Sequence, residues 1–148
     1  MLPSSRERVS LHTSDEDNQA IQRAMEERLR FYSANPAQIS TRLHELDEEW
    51  DIERAIEMNA SALAFTGIAA GMFGDRRWLL LPALVTGFLF QHAVQGWCPP
   101  VPILRKLGFR TVYEIEKERH ALKALRGDYV GIGLDKARSP HVLSAAAA

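Results

Sequence analysis

Two side chains stand out as able to do chemistry, Cys98 and His92, and both lie in a stretch nearly empty of charge. Cys98 is the single cysteine and stands before Pro99-Pro100. It excludes an intrachain disulfide and any multi-cysteine metal site. Its chemical reading is a thiol that accepts sulfur, lipid or a disulfide partner in another subunit. Arg105 and Lys106, if they fold back, would favour the thiolate. The plain reading is a small apolar residue at a helix end. His92 is an ionisable group inside an apolar run, which marks it for attention. Zinc takes three or four ligands, and no second histidine or carboxylate lies near His92 in sequence, so hydrogen bonding within a bundle is favoured over metal or haem. No catalytic constellation, metal set or cofactor signature is visible.

The elements that position these residues lie between Ala60 and Pro100. Two apolar runs flank the short charged cluster Asp75-Arg76-Arg77. From Met58 to Gly74 there are 17 residues, about 25 Å of helix. Trp78 to Trp97 adds 20 residues, about 30 Å and close to the hydrocarbon thickness. Trp78 and Trp97 bracket the second run as interfacial anchors do, with Arg105 and Lys106 as further anchors beyond it. Charge is segregated around these runs. Up to Glu57, acidic residues outnumber basic ones 13 to 7, and from Arg105 onward basic residues outnumber acidic ones 9 to 5. The fold expected is all-α: an integral membrane two-helix transmembrane hairpin with N-terminal and C-terminal cytoplasmic amphipathic helices. The competing architecture is a soluble helical bundle with these two helices as its core. Near-zero net charge gives no reason to propose nucleic acid as a partner, and the lipid bilayer is the partner implied. The first residues lead into polar sequence rather than an apolar signal core.

Along the chain, residues 1–57 read as an acidic helical arm, 58–104 as the hairpin, 105–129 as a basic amphipathic helix and 130–148 as a disordered tail. Met1 to about Ser14 is polar and expected to be disordered. Ile21, Met25, Leu29 and Tyr32 give Asp15–Ser33 one apolar stripe. Asn35 and Pro36 suit the N-cap and first position of a second helix, which carries Ile39, Leu43, Leu46 and Trp50 on one face. The two helices pack as a pair or lie loosely ordered at the membrane, and their acidity favours the pair. Thr111 and Glu114 form a capping-box pair. A helix from Val112 to Arg126 then ends at Gly127. Ile115, Leu122 and Leu125 form its apolar stripe, with Lys117, Arg119, Lys123 and Arg126 around it.

Polar and small residues inside the runs suggest how they pack. Gly67 and Gly71 form a GxxxG, a spacing that lets helices approach closely in lipid. Every fourth residue of the second run gives Ala83, Gly87, Gln91 and Gln95, and the first run offers Asn59, Leu63, Gly67 and Gly71. Antiparallel pairing about Arg77 sets Gly71 on Ala83, Gly67 on Gly87, Leu63 on Gln91 and Asn59 on Gln95.

Gln91-His92-Ala93-Val94-Gln95-Gly96-Trp97-Cys98-Pro99-Pro100, Leu107-Gly108-Phe109-Arg110-Thr111 and Ala121–Asp128 are distinctive stretches. With Asn59 and the Asp75-Arg76 turn, they resemble the YgaP-like transmembrane domain family of small bacterial inner-membrane proteins, over roughly residues 53–128. The resemblance implies a self-associating two-helix hairpin in a bacterial inner membrane, and no established activity. Some members fuse the hairpin to a rhodanese, a sulfur-transfer domain with its own cysteine loop. This chain has an acidic helical arm in that place. The expectation is a non-enzymatic, homo-oligomeric membrane or partner-binding module with both termini cytoplasmic, able to contact a cytoplasmic protein. The alternative is a redox or sulfur relay through Cys98. The positive-inside rule sets the orientation, since the basic residues 105–119 and Arg54 flank the open ends of the hairpin.

Overall fold

A computed structural model describes residue 4 and residues 6–130. The expected tail lies outside the described residues from 131 onward, as do residues 1–3 and 5. Among the described residues the chain is helical, with no strand. The α-helices are α1 (Asp15–Ala34), α2 (Ile39–Glu48), α3 (Ile52–Phe73), α4 (Leu80–Gln95), α5 (Val101–Lys106) and α6 (Val112–Arg126). The chain divides into two compact units. One comprises Met1–Ala24 with Trp50–Ile115, the other Met25–Glu49 with Glu116–Ala148.

The first unit is built on α3 and α4. Asp51 caps α3, its carboxylate accepting from the Arg54 amide at 2.7 Å. This satisfies one of the amides a helix start leaves unpaired. The boundary drawn at 57/58 from composition therefore falls inside a helix that starts at Ile52. After Phe73, Asp75 accepts from the Arg77 amide at 2.9 Å and starts a 3-10 turn, Arg76–Leu79, that leads straight into α4. The charged cluster is thus the tight turn its length required. α4 ends at Gly96, whose φ of 84° is left-handed, with its amide on the His92 carbonyl at 2.7 Å. The helix therefore stops before Pro99-Pro100, and Pro100 and Val101 instead start the short α5.

Val9, Ile52, Ala55, Ile56, Cys98, Val101 and Leu104 form one buried cluster at the open end of the hairpin, with Leu89 and Phe109 against it. The expectation of a disordered amino terminus fails here for residues 6–14. Val9 is buried, Ser10–His12 is a 3-10 turn, and the Arg8 guanidinium donates to the Ala93 carbonyl at 2.9 Å. One apolar residue with a seat to fill is enough to order a polar segment. Away from this base, α3 and α4 turn large apolar side chains outward. Phe65, Met72 and Phe73 on α3, and Leu80, Leu84 and Phe90 on α4, are all more than 60% exposed. Both helices are long and apolar enough to cross a membrane, and their most apolar windows are only 22% and 6% buried. The core of a soluble bundle would be covered instead.

In the second unit, Met25, Ile39, Leu43, Leu46 and Leu122 are buried. The packing is as ionic as it is apolar. The Glu118 carboxylate is fully buried and accepts from Arg28 at 2.9–3.1 Å and from Arg42 at 3.0 Å. Arg42 also reaches Glu45 and Glu49, and Arg119 pairs with Asp47 and Glu116. Three expectations change. Leu125 is 46% exposed whereas Lys123 is buried, so the buried stripe of α6 is partly ionic. Asn35 makes no side-chain cap bond. Its amide donates back to the Phe31 carbonyl at 2.8 Å, closing the end of α1 rather than opening α2. Trp50, expected on the α2 face, lies beyond the helix at 41% exposure. It stacks under the Arg54 guanidinium, 4.5 Å from its ring centre.

Candidate functional sites at the base of the hairpin

The glycines show how the two long helices meet. A Cβ on Gly67 would stand 2.5 Å from the Pro82 ring and 3.2 Å from the Trp78 carbonyl, and one on Gly71 would stand 2.6 Å from Leu79. A Cβ on Gly87 would meet nothing within 4 Å, and Ala83 is exposed. The pairing of Gly67 with Gly87 and Gly71 with Ala83 is therefore replaced. The 3-10 turn takes up few residues, so Gly67 faces Pro82 and Gly71 faces Leu79, five and four residues earlier than the antiparallel pairing expected. Asn59 does not reach Gln95. Its amide donates to the Ala55 carbonyl of its own helix at 2.8 Å, and Gln95 is exposed. Gln91 is half-buried.

Cys98 sits two residues past the Gly96 cap, at 5% exposure in the buried cluster. It borders an apolar cleft of about 460 Å³ lined by Ile56, Ala60, Leu63, Val85, Phe88 and Ile103, among others. Burial pushes its thiol above the ordinary range. The cationic activation expected from Arg105 and Lys106 is not seen. Lys106 is exposed, and Arg105 is committed elsewhere.

Arg105, expected as an anchor at the membrane interface, is 1% exposed. Its guanidinium forks onto the Glu114 carboxylate at 2.6 and 2.8 Å. It also donates to Thr13 Oγ1 at 3.2 Å, Asn18 Oδ1 at 2.9 Å and the Phe109 carbonyl at 3.1 Å. Glu114 closes the capping box as the sequence foretold. It accepts from the Thr111 amide at 2.8 Å, and its own amide donates to Thr111 Oγ1 at 3.2 Å. Burial pulls the Glu114 carboxyl upward, but the bonds from Arg105 and Thr111 together outweigh it and hold it below the usual range. The partners of Arg105 lie 4 to 92 residues away in sequence, so no local pattern announced them. Of the other anchors, Trp78 is 54% exposed at the turn. Trp97 is half-buried, edge-on to Phe88 at 6.2 Å between ring centres.

His92 is 6% exposed. It faces a second cavity of about 260 Å³ lined by Arg8, Glu53, Ile56, Glu57, Leu89 and Ala93. Arg8 lies 3.9 Å from the Glu53 carboxylate. Sequence reasoning found the histidine but missed the pair beside it, because Arg8 comes from a segment that composition alone reads as solvent-borne. Among the described residues no cluster of three or more His, Cys, Asp or Glu side chains is arranged to hold a metal ion. Comparison of the chain with family models, curated proteins and solved structures finds no match in any of the three.

Proposed function

We propose that this protein is a non-enzymatic integral membrane module of the YgaP-like transmembrane domain type. In this reading α3 and α4 cross a bacterial inner membrane as a hairpin, and both termini stay in the cytoplasm. The observation that carries the reading is the outward apolar surface of α3 and α4, which no other described residue covers and which is bounded by charge only at the turn and the base. In water such a surface would drive aggregation. In lipid it costs nothing, while the helical backbone satisfies its own polar groups.

Self-association is assigned to α4. Gly67 and Gly71 are used within the hairpin, whereas Ala83 and Gly87 leave a small-residue groove open at the spacing helices use to dimerise in lipid. The relay reading of Cys98 receives less support, because a buried thiol raised above its normal range is a poor nucleophile at neutral pH.

Cysteines placed one at a time at Ser14, Ser144 and Asp75, in a Cys98→Ser background, test the placement. In intact cells a membrane-impermeant thiol reagent should label only position 75. The chain should stay with membranes through an alkaline carbonate wash. Release by the wash, or labelling at either terminus from outside, would overturn the reading.

A further inference from the structure

Four buried polar atoms have no hydrogen-bond partner among the described residues: His92 Nδ1 and Nε2, Arg8 Nε and Glu53 Oε2. All belong to side chains lining the same cavity of about 260 Å³. Buried polar groups are nearly always paired, and an unpaired one costs about 1–3 kcal/mol. Four in one chamber, on three separate chain segments, describe a lining built to bind. The set is mixed: Arg8 Nε–H only donates, the Glu53 oxygen accepts while ionised, and the imidazole does one at each nitrogen. A simple anion would suit Arg8 and repel Glu53; a simple cation would do the reverse. Water suits all four, and the volume has room for several molecules at about 30 Å³ each.

We propose that this chamber is a hydrated proton-binding site, in which water links the His92 ring to the aqueous phase beside the amino-terminal segment. The step is a bare proton transfer. Hydronium gives its proton to an imidazole nitrogen and leaves water, and no other bond changes. The charged groups facing the ring are Arg8 from the amino-terminal segment and Glu53 and Glu57 from α3; α4 brings no other ionisable side chain. Arg8 sets a positive charge and Glu53 and Glu57 negative charges on the wall around the ring, so the seating of the amino-terminal segment decides which charges a proton on the ring meets. The unpaired Glu53 oxygen lines the same chamber as the ring. The inference rests on the geometry of the chamber and not on membrane insertion.

Hydrogen–deuterium exchange at the histidine C2 carbon, read by mass spectrometry on the full chain in lipid nanodiscs, tests it from pH 5 to 9. His12 and His44, both exposed, serve as internal references. His92 should exchange with a sigmoidal pH profile and a plateau within tenfold of the references. Arg8→Gln should move the midpoint up, and Glu57→Gln, at an exposed residue that cannot unseat the fold, should move it down. A plateau more than tenfold slower than the references, or a midpoint unmoved by Glu57→Gln, overturns the proposal.

Discussion

Replacing Arg105 with methionine keeps a stem of similar length and removes the charge. The loss is large because five hydrogen bonds end on this one guanidinium, two of them on the partly buried Glu114 carboxylate. Breaking a buried ion pair from one side costs about 3–5 kcal/mol, most of it the stranded partner. At about 1.4 kcal/mol per decade, local opening should become some 10² to 10⁴ times more frequent. Amide exchange of peptides spanning 101–115, followed by mass spectrometry in nanodiscs, reads this directly, since the Ile52–Arg110 and Thr111–Glu114 bonds lie in the same knot. Glu114→Gln in the same background should return part of the loss, because no carboxylate then remains to be stranded. The acid side carries its own sign. The folded Glu114 carboxyl sits below its ordinary value of 4.5. Its contribution is therefore present above that value and is lost as pH falls through the lower, folded one. Arg105→Met should flatten that acid limb. A protection loss below tenfold, with an unchanged acid limb, would refute the argument that this arginine holds the base together.

Gly67→Leu should open the hairpin, since its first carbon already collides with Pro82, at a cost above the usual 1–3 kcal/mol of overpacking. Gly87→Leu should leave the hairpin intact but reduce the dimer fraction in cross-linking or analytical ultracentrifugation; equal damage from both would contradict the observed register. Glu118→Gln should destabilise the second unit by about 3–5 kcal/mol, because Arg28 and Arg42 lose their shared charge, seen as faster amide exchange across 116–126 and 39–48. Cys98 should alkylate slowly at neutral pH and accelerate at least tenfold on unfolding, measured with iodoacetamide; fast labelling of the folded chain would return the thiol to consideration as a nucleophile.

What could be read from the residues was what depends on near neighbours. The capping box of Thr111 and Glu114, the stop at Gly127 and the turn at Asp75 are satisfied within four residues, and each stands where its pattern placed it. The outward apolar faces follow from composition in the same way. The hairpin register did not, because it depends on how many residues the turn consumes, and a 3-10 turn and an α turn have the same composition. Arg105 was misread for a different reason. A lone arginine after an apolar run is most often interfacial, and only its distant partners Thr13 and Asn18, together with Glu114, make it a core residue. Val9 was missed because a single valine among polar residues carries no periodicity at all.

The seat of the amino-terminal segment has a bearing on the order in which this chain is made. A side chain on Gly96 would collide with the Arg8 carbonyl, and Arg8 donates to Ala93, 85 residues further along. Residues 6–14 are therefore synthesised long before the residues that seat them. Until the chain past α4 and its glycine stop has been synthesised, Val9 lacks Cys98, Val101 and Leu104 of its cluster, and closing so long a loop carries an entropy cost that only the finished base repays. Nascent chains truncated before residue 96 should leave residues 6–14 open to protease, and those extended past α5 should protect them. The segment 6–14 thus serves as a completion mark: it locks only onto a chain whose hairpin is already whole.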